Sequence, residues 1–283
     1  MDLIDRRRFY AEEIEATANL KNASVVEALA TVPRERFLRP GPWTVRGEAD
    51  FQQGPRQTPD ADPRHVYHNL AIAIDPARQL FNGAPGVVAM AIDHLSLRSG
   101  NRVLHIGCGT GYYTALIAHC VGPSGRVVAL EVDEPLADEA GANLRFMPWV
   151  DVRHGDGRGL LGHSFDAILV NAGVTHPLAG WIHALEAGGR MILPITAAMA
   201  PTIGKGLMVL LTRTTDPQSF DARVVGFVAI YTAIGVRDTA LNDQLGQALR
   251  ANPFPLLKRF RLDIHDHSPS CWLHTSGACL STS

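Results

Sequence analysis

Three glycines alternate with other residues at the end of an apolar run, in the stretch VLHIGCGTGYYTALIAHCVG over residues 103–122. They are Gly107, Gly109 and Gly111. A glycine-rich turn between a strand and a helix brings backbone N–H groups close to a ligand. A dinucleotide loop has the spacing G-x-G-x-x-G, whereas Tyr112 occupies the place of the last glycine here. The spacing G-x-G-x-G is instead the loop of enzymes that bind S-adenosyl-L-methionine (SAM), so we predict SAM as the cofactor.

Two acidic residues follow the glycine loop at the ends of the next apolar runs. Glu131 comes 20 residues after Gly111, where a carboxylate can accept hydrogen bonds from both ribose hydroxyls of a nucleoside. Asp156 lies in a GDG sequence at residues 155–157, where it can accept from the adenine amino group. Each feature alone is compatible with an ordinary turn or a helix cap. The three in this order favour a SAM site.

The elements that position these residues alternate between short apolar runs and helical segments. We predict strands, buried on both faces because they are nearly continuous in apolar residues, at RVLHIG (102–107), RVVALEV (126–132), VDVRH (150–154), FDAILVN (165–171) and GRMILPI (189–195). We predict helices over 112–120, 134–146 and 178–186, and an irregular piece around 157–164. This order predicts an α/β fold with a doubly wound, mostly parallel sheet.

The flanking segments supply further helices and an edge hairpin. A capping-box pattern places the start of a second helix at Ser24, and Pro33 ends it. The other predicted elements are a helix over 6–20, a long loop over 39–64, a helix within 84–97, a hairpin from 206–215 and 222–232, a helix over 236–250 and an irregular end. We predict an N-terminal region at 1–98, a SAM-binding core at 99–232 and a C-terminal extension at 233–283.

Composition and charge exclude several classes of protein. A chain of 283 residues with 46% hydrophobic and 19% charged residues predicts a globular enzyme-like domain. The net charge of −2 favours neither nucleic acid nor an anionic membrane as a partner. Charges occupy the place of an apolar leader, and no apolar run is long enough to span a bilayer. Four cysteines are too sparse for a disulfide framework, so we expect a cytoplasmic protein.

Residues 265–279 are rich in potential metal ligands, namely His265, His267, Cys271, His274 and Cys279. Their composition suits zinc. Their spacing matches neither C-x-x-C nor H-x-x-x-H, and we therefore predict no metal site. We expect a tail that packs Trp272 and Leu273 onto the domain or over the active site.

Beyond the glycine loop, the sequence is similar to the protein-L-isoaspartate O-methyltransferase family over about residues 5–230. ALATVPRERFLRP resembles the family's V-P-R-E-x-F segment, and YHNLAIAI resembles its Tyr-x-Asp-x-x-Leu-x-Ile segment. HGDGRGLLGHSFDAILVNAG and LEAGGRMILPI are similar to its later motifs. The resemblance implies a seven-stranded, Rossmann-like methyltransferase fold and methyl transfer to a carboxylate. It implies a cofactor site lined by Gly107, Gly109, Gly111, Glu131, Asp156 and Gly157.

Six neighbouring positions complete the predicted cofactor-binding set. They are Asn82, Gly83, His105, Cys108, Val132 and Asn171. Asn82 is also a candidate to orient the acceptor's carboxylate. The residue types identify no catalytic group.

Three departures from the family pattern affect the prediction. In FNGAPG, Gly83 stands where the family carries a Ser or Thr hydroxyl, which favours a specialised acceptor over general isoaspartyl repair. His105 replaces an acidic residue that helps hold the cofactor's ammonium group, and only a neutral imidazole can accept that hydrogen bond. Residues 231–283 extend beyond the usual end of the family.

The acceptor's acidity decides what further chemistry the site needs. A carboxylate, with a pKa near 4, is ionised at neutral pH and needs no general base, whereas an alcohol or phenol does. No base motif lies near the glycine loop, which favours a peptide or protein carboxylate and leaves S-adenosyl-L-homocysteine as the second product. One alternative is a small-molecule O- or N-methyltransferase whose base is His68, His94 or His176. Another is an inert SAM-binding module, and the oligomeric state stays open.

Overall fold

A computed structural model describes residues 2–47, 50, 53–159, 162–198, 202–275 and 277–283. The helices are α1 (Leu3–Ala18), α2 (Ala23–Thr31), α3 (Pro85–His94), α4 (Tyr112–Val121), α5 (Glu134–Leu144), α6 (Ala179–Ala184) and α7 (Thr239–Ala251). The strands are β1 (Thr44–Arg46), β2 (Arg56–Gln57), β3 (Ala71–Asp75), β4 (Leu80–Phe81), β5 (Arg102–Ile106), β6 (Arg126–Glu131), β7 (Val150–His154), β8 (Phe165–Val170), β9 (Leu185–Ala198), β10 (Ile203–Arg213), β11 (Ser219–Tyr231), β12 (Arg259–Arg261), β13 (Cys271–His274) and β14 (Cys279–Ser281).

The chain divides into two compact units. The first unit comprises Met1–Gly100 and Cys108–His154, and the second comprises Asn101–Gly107 and Gly155–Ser283. Among the described residues, no helix combines the length and apolar character that crossing a membrane requires. The three-part division proposed from the sequence stays a prediction.

The helices of the first unit begin and end close to where the sequence places them. The predicted cap at Ser24 is wrong, because Asn22 caps α2 and its side chain accepts a hydrogen bond from the backbone N–H of Ser24 at 3.1 Å. Asparagine is as good an N-cap as serine, and the capping-box pattern therefore predicts a helix start two residues too late. The helix ends at Thr31, before Pro33, as expected, since a residue preceding proline disfavours helical geometry.

Two groups of strands lie in the first unit. β6 and β7 pair in parallel from Val127 opposite Val150 to Glu131 opposite His154. A small antiparallel sheet has the order β2-β1-β3-β4. Strands β1 and β2 fall inside the predicted loop over 39–64, because strands of two or three residues leave no readable periodicity. Residues 48, 49, 51 and 52 of that loop lie outside the described residues.

The second unit holds the larger set of paired strands. β5 pairs in parallel with β8, and β8 with β9. From β9 the pairing is antiparallel, in the order β9-β10-β11-β12-β14-β13, and it includes the predicted hairpin of β10 and β11. The α/β prediction is confirmed, with a larger antiparallel part than the sequence indicated.

The prediction of an irregular C-terminal end is wrong. β12 pairs with β11, as in Ser219 opposite Arg261, and β14 lies between β12 and β13. These strands have three or four residues each, so their alternation is too short to be recognised, and successive pairing outward from β11 forms them. Within the irregular piece predicted around 157–164, residues 160 and 161 lie outside the described residues.

Candidate cofactor and acceptor site

The glycine loop adopts a backbone that other residues rarely take. The φ angles of Gly107, Gly109 and Gly111 are 79°, 54° and 97°, all in the left-handed region. A Cβ atom on Gly111 would lie 2.8 Å from Cδ1 of Leu144, and one on Gly109 would lie 3.3 Å from Cδ1 of Ile74. Both the backbone conformation and the neighbouring side chains therefore favour glycine, most strongly at Gly111. The loop leads directly into α4, which begins at Tyr112.

Glu131 is fixed against this loop in the first unit. Its Oε2 accepts a hydrogen bond from the backbone N–H of Gly109 at 2.7 Å. Its Oε1 accepts from the backbone N–H groups of Val132 and Asp133 at 2.9 and 3.2 Å. The residue is only 8% exposed. Since two carboxylate oxygens offer about four acceptor positions, the three bonds leave room for a ribose hydroxyl.

Cys108 and Val132 flank this carboxylate and bring no reactive group to it. The backbone N–H of Cys108 donates to the carbonyl oxygen of Leu130 at 3.1 Å. Burial, with the nearby Glu131 carboxylate adding to it, raises the pKa of the Cys108 thiol far above neutral pH. The thiol therefore stays protonated and fills space, while Val132 is 37% exposed and offers apolar surface.

Asn82 and Gly83 connect β4 to α3 in the first unit. The Asn82 side-chain oxygen accepts from the backbone N–H of Ile72 at 2.8 Å, and its own backbone N–H donates to the Ile72 carbonyl at 2.9 Å. Its Nδ2 is buried and has no hydrogen-bond partner among the residues that the structure describes. The hydroxyl of Tyr113, on the first turn of α4, donates to the Gly83 carbonyl. The segment is thereby tied to the helix that follows the glycine loop.

The space around Gly83 has no room for the side chain of a serine or threonine. A Cβ atom added there would lie 2.6 Å from Cγ2 of Val88. A serine or threonine at this position therefore requires Val88 to move.

Arg34 is a buried cation that the sequence analysis did not single out. Its side chain is fully buried, and its guanidinium donates to the carbonyl oxygens of Val66, His68 and Leu70 at 2.7, 3.0 and 2.7 Å. It also reaches Oδ1 of Asn82 at 3.5 Å. The ion pairs found among the described residues do not include Arg34; besides the carbonyl dipoles, the ring of Tyr112 faces its charge, with the centroid 5.6 Å from Cζ. The only sequence feature that pointed to Arg34 is its position after Pro33 in VPRERF. This segment has no hydrophobic periodicity, so it does not predict that Arg34 is buried.

In the second unit, Asp156 and Gly157 each accept a hydrogen bond from a neighbouring side chain. Asp156 accepts from the backbone N–H and Nε of Arg158 at 3.1 and 2.7 Å, and the hydrogen bond from this guanidinium lowers the pKa of the Asp156 carboxyl. Gly157 has a φ of 80°, and its carbonyl accepts from Nε1 of Trp181 at 2.9 Å. Asn171 donates through Nδ2 to the Gly107 carbonyl at 3.3 Å. Their role in binding the cofactor stays a prediction.

His105 lies on β5 of the second unit, opposite Leu169 in the parallel pairing with β8. It is fully buried, and burial lowers the pKa of its imidazole to about 3. The ring is therefore neutral at physiological pH, which is the form able to accept a hydrogen bond from an ammonium group. The contact of His105 with the cofactor's ammonium group stays a prediction.

The histidines of the alternative mechanism lie in separate places. Burial lowers the pKa of His68 in the first unit, and His94 ends α3. In the second unit, His176 Nδ1 lies 2.9 Å from Oγ1 of Thr175, and burial lowers its pKa. His176 lines a cavity of about 530 Å³ together with Asp238, and none of the predicted cofactor residues is among the described residues that line it.

Similarity to solved structures defines the class of fold. A solved protein-L-isoaspartate O-methyltransferase superposes with a TM-score of 0.64 at 20% identity, covering 97% of this chain and 87% of that one. A second, from Plasmodium falciparum and described as a putative enzyme of the same kind in complex with S-adenosyl-L-homocysteine, has a TM-score of 0.59 at 16% identity, covering 80% and 97%. The fold is therefore that of the Rossmann-like methyltransferases.

Sequence comparison identifies the family within this class. Residues 51–216 match the family model described as protein-L-isoaspartate(D-aspartate) O-methyltransferase. The protein-L-isoaspartate O-methyltransferase of Methanothrix thermoacetophila is 31% identical over 233 residues, covering 80% of this chain and 96% of that relative. One from Rhodopseudomonas palustris is 34% identical over 214 residues, covering 74% and 75%. The chain belongs to the protein-L-isoaspartate O-methyltransferase family and is a SAM-dependent methyltransferase.

Proposed function

We propose that this protein transfers the methyl group of SAM to the side-chain carboxylate of an isoaspartyl-type residue in a peptide or protein. The observation that carries the proposal is the buried Nδ2 of Asn82, which has no partner among the described residues and lies beside the buried guanidinium of Arg34. A buried donor without an acceptor costs about 1–3 kcal/mol, and a ligand that accepts its hydrogen bond recovers this free energy. A carboxylate oxygen is such an acceptor.

The first unit offers residues that fit the cofactor. We propose that Glu131 accepts hydrogen bonds from the ribose, with the backbone at Gly109 and Gly111 lying close to the ligand because no side chain intervenes. Val132 supplies apolar contact for the base. When bound, SAM supplies a methyl group on a positively charged sulfur.

The residues around Asn82 then act on the acceptor. Nδ2 of Asn82 donates to one carboxylate oxygen, which leaves the other oxygen free to attack. The positive charge of Arg34 favours the ionised form of the acid, since opposite charges attract strongly in a buried setting. The acceptor needs no general base because a carboxylate is already ionised at neutral pH. Much of the acceleration comes from holding oxygen and methyl group in line.

The test is transfer of a radiolabelled methyl group from SAM to a peptide that contains one isoaspartyl residue. The control is the same peptide with a normal aspartyl residue. We expect label on the isoaspartyl peptide alone, released as methanol in mild alkali because methyl esters hydrolyse there. A product whose label resists alkali, or label on neither peptide, would rule out the proposed carboxylate chemistry.

Substitution at Asn82 separates acceptor binding from cofactor binding. In Asn82→Asp a carboxylate replaces the amide donor and repels the acceptor's own carboxylate, so we expect KM for the isoaspartyl peptide to rise at least tenfold. SAM affinity, measured by calorimetry, is expected to change less than twofold. If SAM affinity falls instead while KM stays constant, Asn82 belongs to the cofactor site, as the sequence prediction placed it.

A further inference from the structure

Four potential metal ligands converge in the C-terminal strands of the second unit. His265, Cys271, His274 and Cys279 each offer one ligand atom, and these atoms all lie within 4.8 Å of one another. Tetrahedral zinc has Zn–N and Zn–S bonds of about 2.0 and 2.3 Å, so its ligand atoms are about 3.3–3.8 Å apart. The distances between the ligand atoms would have to shorten by at most roughly 1–1.5 Å for the four side chains to bind one ion.

A bulge in β13 explains why two ligands three residues apart lie together. Side chains of a regular strand alternate between faces, so Cys271 and His274 would point in opposite directions. The pairing with β14 shifts register between Cys271 and Leu273, from Cys271 opposite Ser281 to Leu273 opposite Leu280. The extra residue restores a common face for the two ligands.

The other two ligands reach the cluster from neighbouring segments. Cys279 begins β14 and lies directly opposite His274 in the antiparallel pair. His265 comes from the loop after β12, and its Nε2 lies 3.8 Å from Sγ of Cys271. The set therefore draws on one loop and both strands of a hairpin, so an ion bound there would crosslink the three.

The surroundings of His265 orient its imidazole. Nδ1 lies 3.0 Å from the carbonyl oxygen of Asp263 and 3.4 Å from Oδ2 of the same residue. Asp263 in turn accepts from Nε and Nη2 of Arg261 at 2.9 and 2.6 Å. A carbonyl beside Nδ1 places the proton there and leaves Nε2 with a free lone pair. Metal-bound histidines typically have such a partner on the other nitrogen.

The surroundings of Cys271 and His274 also suit metal binding. The backbone N–H of Ser268 donates to Sγ of Cys271 at 3.4 Å, and the Ser268 hydroxyl lies 3.4 Å from the same sulfur. Such donors stabilise a thiolate, the form that binds metal. Nδ1 of His274 is buried and has no hydrogen-bond partner among the described residues. All four cysteines of the chain are free thiols.

We propose that His265, Cys271, His274 and Cys279 form a structural zinc site. Four protein ligands of the Cys2His2 type complete a tetrahedron without an open position, and two thiolates neutralise the charge of the ion. The sequence order H-x5-C-x2-H-x4-C matches no common zinc motif, and the expectation of no metal rested on that spacing. Spacing was a poor guide because the bulge and the strand pairing bring the ligands together.

An ion at this cluster would stabilise the C-terminal segment. β12, β13 and β14 contain three or four residues each, and Ile264 in the connecting loop is 92% exposed. Phe260, Leu273 and Leu280 on these strands are buried, but strands this short have few backbone hydrogen bonds, and a structural metal adds stability to such a segment. Zinc would hold the loop that follows β12 against the hairpin of β13 and β14.

The direct test is metal binding by the full chain. We expect the reduced, chelator-treated protein to bind one Zn²⁺ per chain, measured by calorimetry and elemental analysis. Co²⁺ in place of Zn²⁺ is expected to give the intense visible bands of tetrahedral coordination together with a thiolate-to-cobalt charge-transfer band. Absence of stoichiometric zinc and of the charge-transfer band in the wild-type chain would overturn the proposal.

Variants identify the ligands, with matched controls from the same chain. Cys271→Ser and Cys279→Ser should each weaken Zn²⁺ affinity at least a hundredfold and remove the thermal stabilisation that zinc confers. Cys120→Ser, in α4, and His267→Gln, beside the cluster but outside the four ligands, should bind zinc like the wild type. Equal zinc binding by the two ligand variants and the controls would contradict the assignment. SAM-dependent methyl transfer does not enter this readout, so its outcome is independent of the proposed function.

Discussion

The backbone N–H of Gly109 donates a hydrogen bond of 2.7 Å to Oε2 of Glu131, two residues that are 22 positions apart in the chain. The bond joins the turn after β5 to the end of β6, so the acidic side chain and the glycine loop hold each other in place. The other carboxylate oxygen receives the N–H groups of Val132 and Asp133. Glu131 therefore serves both the loop's conformation and the proposed contact with the ribose.

Replacing Glu131 by alanine should affect ligand binding and folding together. We expect SAM affinity to weaken by about 1.5–3 kcal/mol, the usual contribution of hydrogen bonds to a charged group. We expect the free energy of unfolding to fall as well, because three backbone N–H groups lose their acceptor. Calorimetric titration with SAM and denaturant unfolding measure the two effects. Glu134→Ala, an exposed change in the first turn of α5, is the control, and an unchanged SAM affinity in Glu131→Ala would remove this residue from the site.

Alanine at Gly111 and at Gly141 should have opposite effects on stability. At Gly111 the left-handed backbone costs about 1–2 kcal/mol, and crowding against Leu144 costs a further 1–3 kcal/mol or so. Gly141 lies inside α5, where an added Cβ meets no atom of the described residues within 4 Å, so alanine should stabilise by about 0.5–1 kcal/mol. Thermal unfolding of the two variants checks the sign. Similar melting temperatures would show that the loop relaxes around a side chain.

Restoring a serine at Gly83 should require a second change to be tolerated. Gly83→Ser alone drives Cβ to within 2.6 Å of Val88, and we expect it to reduce stability and activity. In the double variant Gly83→Ser with Val88→Ala, the added Cβ has room. We expect it to regain methylation of isoaspartyl peptides relative to Gly83→Ser, measured as kcat/KM. Val88→Ala alone controls for the cavity, and if the double variant is no better than Gly83→Ser, the serine has no role here.

His105 should make the protein less stable as the pH falls below about 6.5. Burial lowers its pKa to about 3 in the folded state, whereas an unfolded histidine titrates near 6.5. Between these values the unfolded chain binds the extra proton, so the free energy of unfolding decreases with decreasing pH. From pH 7.5 to pH 5 the loss from this residue is roughly 2 kcal/mol.

The measurement is denaturant unfolding of the wild type and of His105→Gln across that pH range. Glutamine cannot titrate, so the variant's stability should decline less steeply by that amount. Because other histidines contribute equally to both proteins, the difference between the two slopes isolates His105. Parallel curves would show that the imidazole is already accessible to protons in the folded state.

The parts of the fold that could be predicted from sequence are those with local signals. Strands β5 to β9 come from apolar runs, and the helices begin and end at capping and helix-breaking residues. These signals extend over only a few neighbouring residues, so the sequence alone can predict them. The same holds for the glycine loop, because three positive φ angles within five residues favour glycine at each position. The position of Glu131 followed from the strand that precedes it.

Other features depended on residues far apart in the chain. Arg34 donates hydrogen bonds to carbonyl groups within residues 66–70, and nothing in the sequence around VPRERF predicts these contacts. Val88 excludes a side chain from Gly83 through packing alone. In the C-terminal segment, β12 pairs with β11, β14 with β12 and β13 with β14, and one extra residue in β13 turns Cys271 and His274 to the same face. Long-range pairing and register set these contacts, because the free energy that fixes them comes from partners distant in sequence.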